Sequence, residues 1–206
     1  MGIYEKYVVP HLINCACGTR PIAHQRQKIV PQCEGTVLEI GIGTGFNLPY
    51  YDGAKVTKLI GLDPSEQSWK LAGKRARHLP FPVEFIGLPG EEIPLEDKSV
   101  DTVLVTFSLC TIPDPHKALD GMRRVLKPGG KLIFCEHGAA PDANVARFQD
   151  RINPVWNALF GGCYLNRKIP NIIEGAGFRI GDLQTMYLPS TPRFVGFNYW
   201  GVAQSA

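Results

Sequence analysis

Apolar residues are grouped along the chain in short runs that are typical of β-strands. Each run is rich in β-branched or other large apolar residues and is followed by glycine, aspartate or another loop-forming residue. The run at 100–107, VDTVLVTF, is almost uninterrupted, and such a strand is expected to be buried on both faces of a parallel sheet. Five strands are predicted in this way: 36–40, 58–63, 83–87, 100–107 and 131–137.

Between these strands the apolar residues recur with helical spacing. In the segment 114–127, Leu119, Met122 and Leu126 fall three and four positions apart, which places them on one face of a helix. Alternation of strands and helices is typical of a parallel, doubly wound sheet with right-handed crossovers. Helices are predicted at 64–79, 114–127 and 142–160, in one or two short segments within 3–32, and in a short segment ending near 177.

The C-terminal part of the chain departs from this alternation. The runs at 178–188 and 193–203 both have strand character, and only Pro-Ser-Thr-Pro separates them. A connection this short cannot cross over the sheet, so an antiparallel hairpin is expected. We therefore predict an α/β fold: a doubly wound, mostly parallel seven-stranded sheet with an antiparallel C-terminal hairpin. One domain is expected over 1–206, with a helical cap at 1–33 and the core at 34–206.

The composition limits the classes of partner. A formal net charge of +3 over 206 residues is too small for binding to the phosphate backbone of nucleic acid. No run approaches the roughly 18 apolar residues of a membrane span, and the N-terminus lacks the layout of a signal peptide. We therefore expect a cytoplasmic protein without an obligate protein partner. The basic faces of its helices leave weak contact with a membrane surface open.

The six cysteines are expected to be free thiols in a cytoplasmic protein of this size. Cys15 and Cys17 form a C-x-C pair, but no second Cys or His pair follows at the spacing of metal ligands. The sequence therefore predicts no metal site.

The clearest chemical signal is a glycine-rich loop after the first predicted strand. Gly41, Gly43 and Gly45 occupy alternate positions, which lets backbone amides approach a ligand where a Cβ atom would collide. The spacing differs from the G-x-G-x-x-G of dinucleotide-binding folds, and no G-K-[ST] step of a phosphate-binding loop follows. Glu39 adds a carboxylate that would repel a pyrophosphate but suits a cation with an amino group and a sulfonium. Asp63, which ends the second strand, can hold both hydroxyls of a ribose.

Four segments, taken in order, resemble the class I methyltransferases that use S-adenosylmethionine and release S-adenosylhomocysteine: VLEIGIGTG, GLD, SVDTVLV and RVLKPGGKL. The resemblance covers about residues 30–138 and implies a Rossmann-like fold. It also implies that the three glycines line the methionine end of the cofactor, that Asp63 holds the ribose, and that Gly90 and Glu91 meet the adenine. Pro89 stands where many of these enzymes carry an acidic residue, so backbone groups of this loop are the expected adenine contacts. The predicted cofactor-binding residues are Glu39, Gly41, Gly43, Gly45, Asp63, Pro64, Gly90, Glu91, Ser108 and Leu109.

A second resemblance concerns the methyl acceptor. The segments 109–112, 136–138, 154–156 and 161–167, together with Gln149, are similar to the methyltransferase-like family that includes the mammalian alkyl-thiol methyltransferases. This resemblance implies that the acceptor is a small molecule, a thiol or a sulfide. A phospholipid amine or a quinone precursor is the alternative acceptor. A protein that binds S-adenosylmethionine without catalysis is the alternative function.

Two neighbouring residues are the candidates for catalysis. His137 follows an apolar strand at the edge of the sheet where ligands bind, so it is the candidate general base, with shaping of the rim as the alternative. Glu136 is a candidate to orient His137 or to bind the cofactor. Cys110 and Cys163 are more simply explained as small buried hydrophobes than as nucleophiles. Because a thiol is partly ionised at neutral pH, the lack of an unmistakable base favours a thiol acceptor.

Overall fold

Seven strands form one mixed sheet in the computed structural model, which describes residues 17–206. In chain order they are β1 (Gly35–Ile40), β2 (Val56–Leu62), β3 (Val83–Ile86), β4 (Val100–Thr106), β5 (Leu126–His137), β6 (Phe178–Tyr187) and β7 (Phe197–Ser205). Their order in the sheet is β3-β2-β1-β4-β5-β7-β6. Strand β7 runs antiparallel to both of its neighbours, and the pairs among β1 to β5 are parallel. The predicted doubly wound sheet with a C-terminal hairpin is confirmed.

Six α-helices lie in this part of the chain, one before β1 and five between later strands. They are α1 (Arg20–Ile29), α2 (Glu66–Ala76), α3 (Pro115–Val125), α4 (Ala143–Leu159), α5 (Ile169–Gly175) and the single turn α6 (Arg193–Gly196). Asp114 caps α3 by accepting a hydrogen bond from the Lys117 amide at 3.0 Å, and Pro115 occupies the first helical position. Helix α1 lies in the predicted segment 3–32, whose residues up to 16 are outside the described part.

The hairpin differs from the prediction at its connection. The second strand was expected from residue 193, but Arg193–Gly196 form the helical turn α6 and β7 begins at Phe197. The amide of Leu188 donates to the carbonyl of Gly196 at 2.8 Å. This bond closes residues 189–196 into a loop, so strand β7 begins only after Gly196.

The core lies on both faces of the sheet. Along β4, Val103 and Val105 pack into a cluster that contains Leu119 of α3. Leu104, between them, packs into a second cluster that contains Ala72 of α2. The burial of both faces that the apolar pattern of 100–107 predicted is therefore confirmed, and it explains why this strand has few polar positions.

The strand order reverses between β1 and β4. The chain proceeds outward from β1 through β2 to β3, then returns to place β4 on the other side of β1. In an open α/β sheet the loops that leave the carboxyl ends of two such strands diverge and leave a crevice between them. The predicted ligand residues follow the carboxyl ends of these strands.

Within residues 17–206, no helix combines the length and apolar character needed to cross a bilayer.

Candidate active site

A cleft of about 360 Å³ opens beyond the carboxyl ends of β1, β2 and β4. One wall is the glycine-rich loop, and the opposite walls come from the segments 89–91 and 106–113. Arg26 and Cys17 line the cleft from the N-terminal side. The site therefore lies at the reversal of strand order, where the sequence analysis expected it.

The three glycines of the loop differ in what surrounds them. All three have positive φ, at 71° for Gly41, 51° for Gly43 and 78° for Gly45. A Cβ atom at Gly41 would lie 2.1 Å from Ser108 Oγ, and one at Gly45 would lie 2.6 Å from a methyl carbon of Leu48. At Gly43 the nearest described atom would be 3.8 Å away. Gly41 and Gly45 are thus required by packing within the protein, whereas Gly43 faces the open space of the cleft.

Asp63 joins the glycine loop to the start of α2. Its Oδ2 accepts a hydrogen bond from the Gly43 amide at 2.9 Å, and its Oδ1 accepts one from the Ser65 amide at 2.8 Å. Burial raises the pKa of this carboxyl group, and the two amide bonds oppose the increase. Each oxygen keeps a further lone pair, so the carboxylate can also accept hydrogen bonds from a ligand in the cleft.

Glu39 ends β1 beneath the loop and is almost fully buried, with 1% of its surface exposed. Asn47 Nδ2 donates to Oε1 at 2.9 Å and the Tyr51 hydroxyl donates to Oε2 at 2.7 Å. Burial raises the pKa of Glu39 to about 7, against the hydrogen bonds from Tyr51 and Asn47 and the charge of Arg26. Glu39 is therefore poised to lose its proton near neutral pH when a cation enters the cleft.

Arg26 of α1 brings a positive charge to the same region. Its Nε donates to Asn47 Oδ1 at 2.9 Å, and its guanidinium group lies 5.4 Å from the ring centre of Phe46 and 5.2 Å from that of Phe107. The side chain is buried between these rings. Arg26 thus ties the N-terminal helix to the glycine loop and to the loop after β4.

The remaining predicted cofactor residues fall into two groups. Pro64, Gly90, Glu91 and Ser108 line the cleft. Leu109 does not: its side chain is fully buried in the hydrophobic core. Its amide is bonded to Glu136 and its carbonyl to Arg167, so its backbone is also engaged within the protein. The loop turns inward after Ser108, and the predicted contact of Leu109 with the cofactor stays a prediction.

Glu136 holds the loop after β4 from beneath. It has no exposed surface, and it accepts hydrogen bonds from the amides of Ser108 at 2.7 Å, Leu109 at 3.0 Å and Cys110 at 3.3 Å. Burial raises the pKa of this carboxyl group, and the three amide bonds oppose the increase. Glu136 thus shapes the wall of the cleft. Its predicted roles, orientation of His137 and binding of the cofactor, are not tested by this arrangement.

His137 lies behind that wall, next to two cysteines. Its Nε2 is 3.2 Å from Cys163 Sγ, and the ligand atoms of His137, Cys110 and Cys163 all lie within 4.8 Å of one another. Among residues 17–206, Nδ1 of His137 has no hydrogen-bond partner. No local sequence pattern links these three residues, and the fold brings them together.

Two side chains fix the loops around this cluster. Gln149 of α4 accepts a hydrogen bond from the Ala140 amide at 2.8 Å and donates to the carbonyls of Gly138 and Leu165, each at 3.0 Å, and of Phe194 at 2.9 Å. The second is Arg167. It donates to two carbonyls of the loop after β4, those of Leu109 and Ile112, and its guanidinium group lies 4.4 Å from the ring centre of Tyr164. The loop that carries Cys163 is therefore held to the loop that carries Cys110.

The sequence was compared with protein families and with known proteins. A methyltransferase domain family matches residues 38–134. The chain is 37% identical to thiol S-methyltransferase TMT1B of Rattus norvegicus over 174 residues, covering 79% of this chain and 70% of the relative. It is 35% identical to thiol S-methyltransferase TMT1A of Homo sapiens over 179 residues, covering 84% of this chain and 72% of that one.

The chain belongs to the class I S-adenosylmethionine-dependent methyltransferases, in the family of TMT1A and TMT1B. A solved S-adenosylmethionine-dependent methyltransferase of Thermotoga maritima has the same fold, with a TM-score of 0.66 and 23% identity over 98% of this chain and 97% of that one. The family resemblance carried by the glycine loop and by the C-terminal segments is thus confirmed.

Several residues of this methyltransferase's cleft escaped the sequence analysis. Arg26 precedes the recognised motifs, and no local pattern distinguishes it from residues of a solvated helix. Cys17 was noted only as part of a C-x-C pair and not as a residue of the cleft. Asn47 and Tyr51 hold Glu39 from a loop with no regular spacing. One sequence signal for them was available. Glu39 is the single acid in the apolar strand VLEI, and a carboxylate in a buried strand needs hydrogen-bond donors close by.

Proposed function

We propose that this methyltransferase transfers the methyl group of S-adenosylmethionine to a small thiol. The observation that carries the proposal is the 37% identity to a thiol S-methyltransferase, which covers 79% of the chain. That coverage is greater than the segment 38–134 matched by the general methyltransferase domain, so it includes regions outside the cofactor-binding half. The alternatives of a lipid amine, a quinone precursor or a protein without catalysis have no comparable support.

The chemistry of the cleft fits S-adenosylmethionine. Glu39 offers a carboxylate to the amino group of the methionine moiety, and Gly43 leaves room for the ligand to approach the backbone. Asp63, at the end of β2, has lone pairs for the two ribose hydroxyls. Pro89, Gly90 and Glu91 line the cleft on the far side of Asp63, which suits contact with the adenine. When bound, S-adenosylmethionine supplies a methyl group on a positively charged sulfonium.

The protein contributes mainly by positioning. Holding a nucleophile in line with a reactive methyl group supplies about 7–11 kcal/mol, whereas a general base adds about 10²–10⁴-fold in rate. The loop after β4 is held by hydrogen bonds from its amides to Glu136 and from Arg167 to its carbonyls. These bonds favour a rigid wall between the cofactor and the acceptor. A thiol, being partly ionised at neutral pH, gains most from such a wall and least from a base.

An acceptor screen tests the proposal. The purified chain is incubated with S-adenosylmethionine and, separately, with small alkyl thiols, phenols, lipid amines and quinone precursors, and formation of S-adenosylhomocysteine is measured. We expect turnover with thiols and the corresponding methyl thioether by mass spectrometry. Turnover with another class but not with thiols contradicts the proposal. Tight binding of S-adenosylmethionine without turnover of any acceptor would identify a binding protein instead.

A further inference from the structure

Cys110, His137 and Cys163 form a cluster of metal-ligating groups outside the residues assigned to S-adenosylmethionine. They come from three separate segments: the loop after β4, the end of β5 and the loop after α4. Their ligand atoms all lie within 4.8 Å of one another, and His137 Nε2 is 3.2 Å from Cys163 Sγ. Two thiols and an imidazole are a donor set that Zn²⁺ prefers.

The spacing of these atoms suits tetrahedral zinc. With Zn–S near 2.3 Å and Zn–N near 2.0–2.1 Å, a sulfur and a nitrogen bound to one ion lie about 3.5 Å apart. The observed separation of 3.2 Å between Nε2 and Cys163 Sγ is close to this value. The 4.8 Å limit on the other pairs leaves only small side-chain movements before all three atoms contact one ion.

The backbone that carries the cluster is held in place. The Cys110 amide donates to Glu136 at 3.3 Å, and the Cys110 carbonyl accepts from the Tyr164 amide at 2.8 Å. This second bond ties the residue after Cys163 directly to Cys110. His137 ends β5, where it pairs with Asn198 of β7. Such fixed supports are what a metal site requires of its surroundings.

The protein gives the imidazole of His137 only a weak partner. His137 is 8% exposed, and within residues 17–206 its Nε2 has only the contact with Cys163. Sulfur is a weak partner, and buried polar groups in proteins are ordinarily well bonded. A metal ion at Nε2 would replace the weak contact with a strong one.

The cluster lies behind the wall of the cleft that the loop after β4 forms, and its three residues do not themselves line the cleft. Ser108 and Thr111, on either side of the segment with Cys110, both line it. Cys17 also lines it. An acceptor held at the cluster would therefore lie beside the site proposed for S-adenosylmethionine.

We propose that Cys110, His137 and Cys163 bind a zinc ion whose fourth position takes the acceptor thiol. Three protein ligands with one open position are the arrangement of catalytic zinc, whereas structural sites have four protein ligands. The inference rests on the proposed thiol acceptor. It makes His137 a metal ligand, and the imidazole nitrogen that holds the metal is then not a general base.

The reaction is balanced without a further reagent. On binding, the acceptor thiol releases its proton to solvent and becomes a metal-bound thiolate. The two cysteine thiolates already neutralise the charge of Zn²⁺, so the acceptor thiolate keeps its negative charge and its nucleophilicity. Its sulfur forms a bond to the methyl carbon as the bond from the sulfonium to that carbon breaks. The products are a neutral thioether, S-adenosylhomocysteine and the released proton.

Metal content tests the site independently of activity. The full chain is purified without a histidine tag, exposed to Zn²⁺, desalted and analysed by mass spectrometry for metal. We expect about one zinc per chain in the wild type and less than about 0.1 in Cys110→Ser and Cys163→Ser. Cys33→Ala is the matched control, since Cys33 is a buried free thiol that belongs to the core cluster with Ala72. It is expected to keep the metal.

Cobalt provides a measurement that needs no variant. Replacement of zinc by Co²⁺ in the wild type should give the intense charge-transfer absorption of cobalt bound to thiolate, and this absorption should shift when a small alkyl thiol is added.

Binding of S-adenosylhomocysteine serves as the test of folding for each variant. Chelation of the metal should reduce thiol methylation at least about 100-fold, and Zn²⁺ should restore it while Mg²⁺ should not.

The outcomes separate the two proposals. Thiol methylation by a chain that binds neither zinc nor cobalt overturns the metal site and leaves the proposed function intact. The same holds if a disulfide between Cys110 and Cys163 is found in place of metal. Loss of zinc in Cys17→Ser would identify a closed site with four protein ligands and overturn acceptor binding. A bound metal in a chain that methylates another class of acceptor but not thiols overturns the proposed function and, with it, acceptor binding at the metal, while the zinc site itself stands.

Discussion

The amide of Gly43 donates a hydrogen bond to Oδ2 of Asp63 at 2.9 Å, across the gap between the loop after β1 and the end of β2. Gly43 is the loop glycine that faces open space, so this bond fixes the position of the loop where it faces the cleft. Asp63 therefore has two functions in the proposed enzyme: it fixes the loop and presents lone pairs to the ligand.

Asp63→Ala is expected to weaken binding of S-adenosylhomocysteine at least about 150-fold. Hydrogen bonds to a charged acceptor are worth about 1.5–3 kcal/mol each, and the variant loses those of the ribose. Isothermal titration calorimetry measures the effect. Asp182→Ala, at an exposed carboxylate of β6, is the control and should bind normally. An unchanged Kd in folded Asp63→Ala would exclude the proposed ribose contact.

Gly43→Ala and Gly73→Ala form a matched pair. Gly43 has a φ of 51° and faces the cleft, so an added methyl group is strained and occupies ligand space. Gly73 lies within α2, and a Cβ there would meet nothing within 4 Å. We expect Gly43→Ala to lower cofactor affinity at least about tenfold, and Gly73→Ala to keep it while adding up to about 1 kcal/mol of stability. Equal affinity in the two variants would mean that Gly43 does not contact the cofactor.

The ionisation of Glu39 should reduce the stability of the ligand-free enzyme as pH rises. Its pKa is raised by burial from 4.5 to about 7, so the folded state binds the proton more tightly than the unfolded state. The protonated Glu39 therefore contributes about 3 kcal/mol to the free energy of unfolding. This contribution is fully present below about pH 4.5 and is lost as pH rises through about 7. In urea denaturation, Glu39→Gln should gain stability relative to wild type between these pH values. A constant difference would show that Glu39 does not titrate there.

Binding of S-adenosylmethionine should show the opposite dependence on pH. The amino group of the ligand favours the ionised form of Glu39, so binding is expected to release a proton and to tighten up to about tenfold per pH unit below the pKa of about 7. Calorimetry in buffers of different ionisation enthalpy measures the proton. Glu39→Gln should bind more weakly and without this pH dependence. Proton release that persists in Glu39→Gln would assign it to another group.

Gln149→Leu is expected to destabilise the fold by at least about 2 kcal/mol. Leucine fills the same space with an apolar side chain. It leaves the amide of Ala140 and the carbonyls of Gly138 and Leu165 without their hydrogen-bond partner. The free energy of unfolding is measured with urea. Gln184→Leu, on the exposed part of β6, should change it by less than about 0.5 kcal/mol. A loss below about 1 kcal/mol in Gln149→Leu would show that water or neighbouring groups replace the amide.

The sequence predicts those features that depend on neighbouring residues. The strands, the helix that begins at Pro115 and the hairpin follow from periodicity, capping residues and the length of a connection. The glycine loop could be recognised because all three of its glycines adopt a positive φ, which is a requirement of the local backbone. The inward turn of the loop after Ser108 could not be predicted, because it depends on Glu136 and Arg167, which lie far along the chain.

The tertiary structure alone decided the arrangement of Cys110, His137 and Cys163. These residues share no local spacing, and they meet because β4 and β5 are neighbours in the sheet and the loop after α4 returns to the loop after β4. The sequence therefore predicted no metal site, since ligand spacing along the chain reports only ligands held by one local turn. The raised pKa of Glu39 depends in the same way on how deeply the fold buries it, and burial is a property of the whole packed chain.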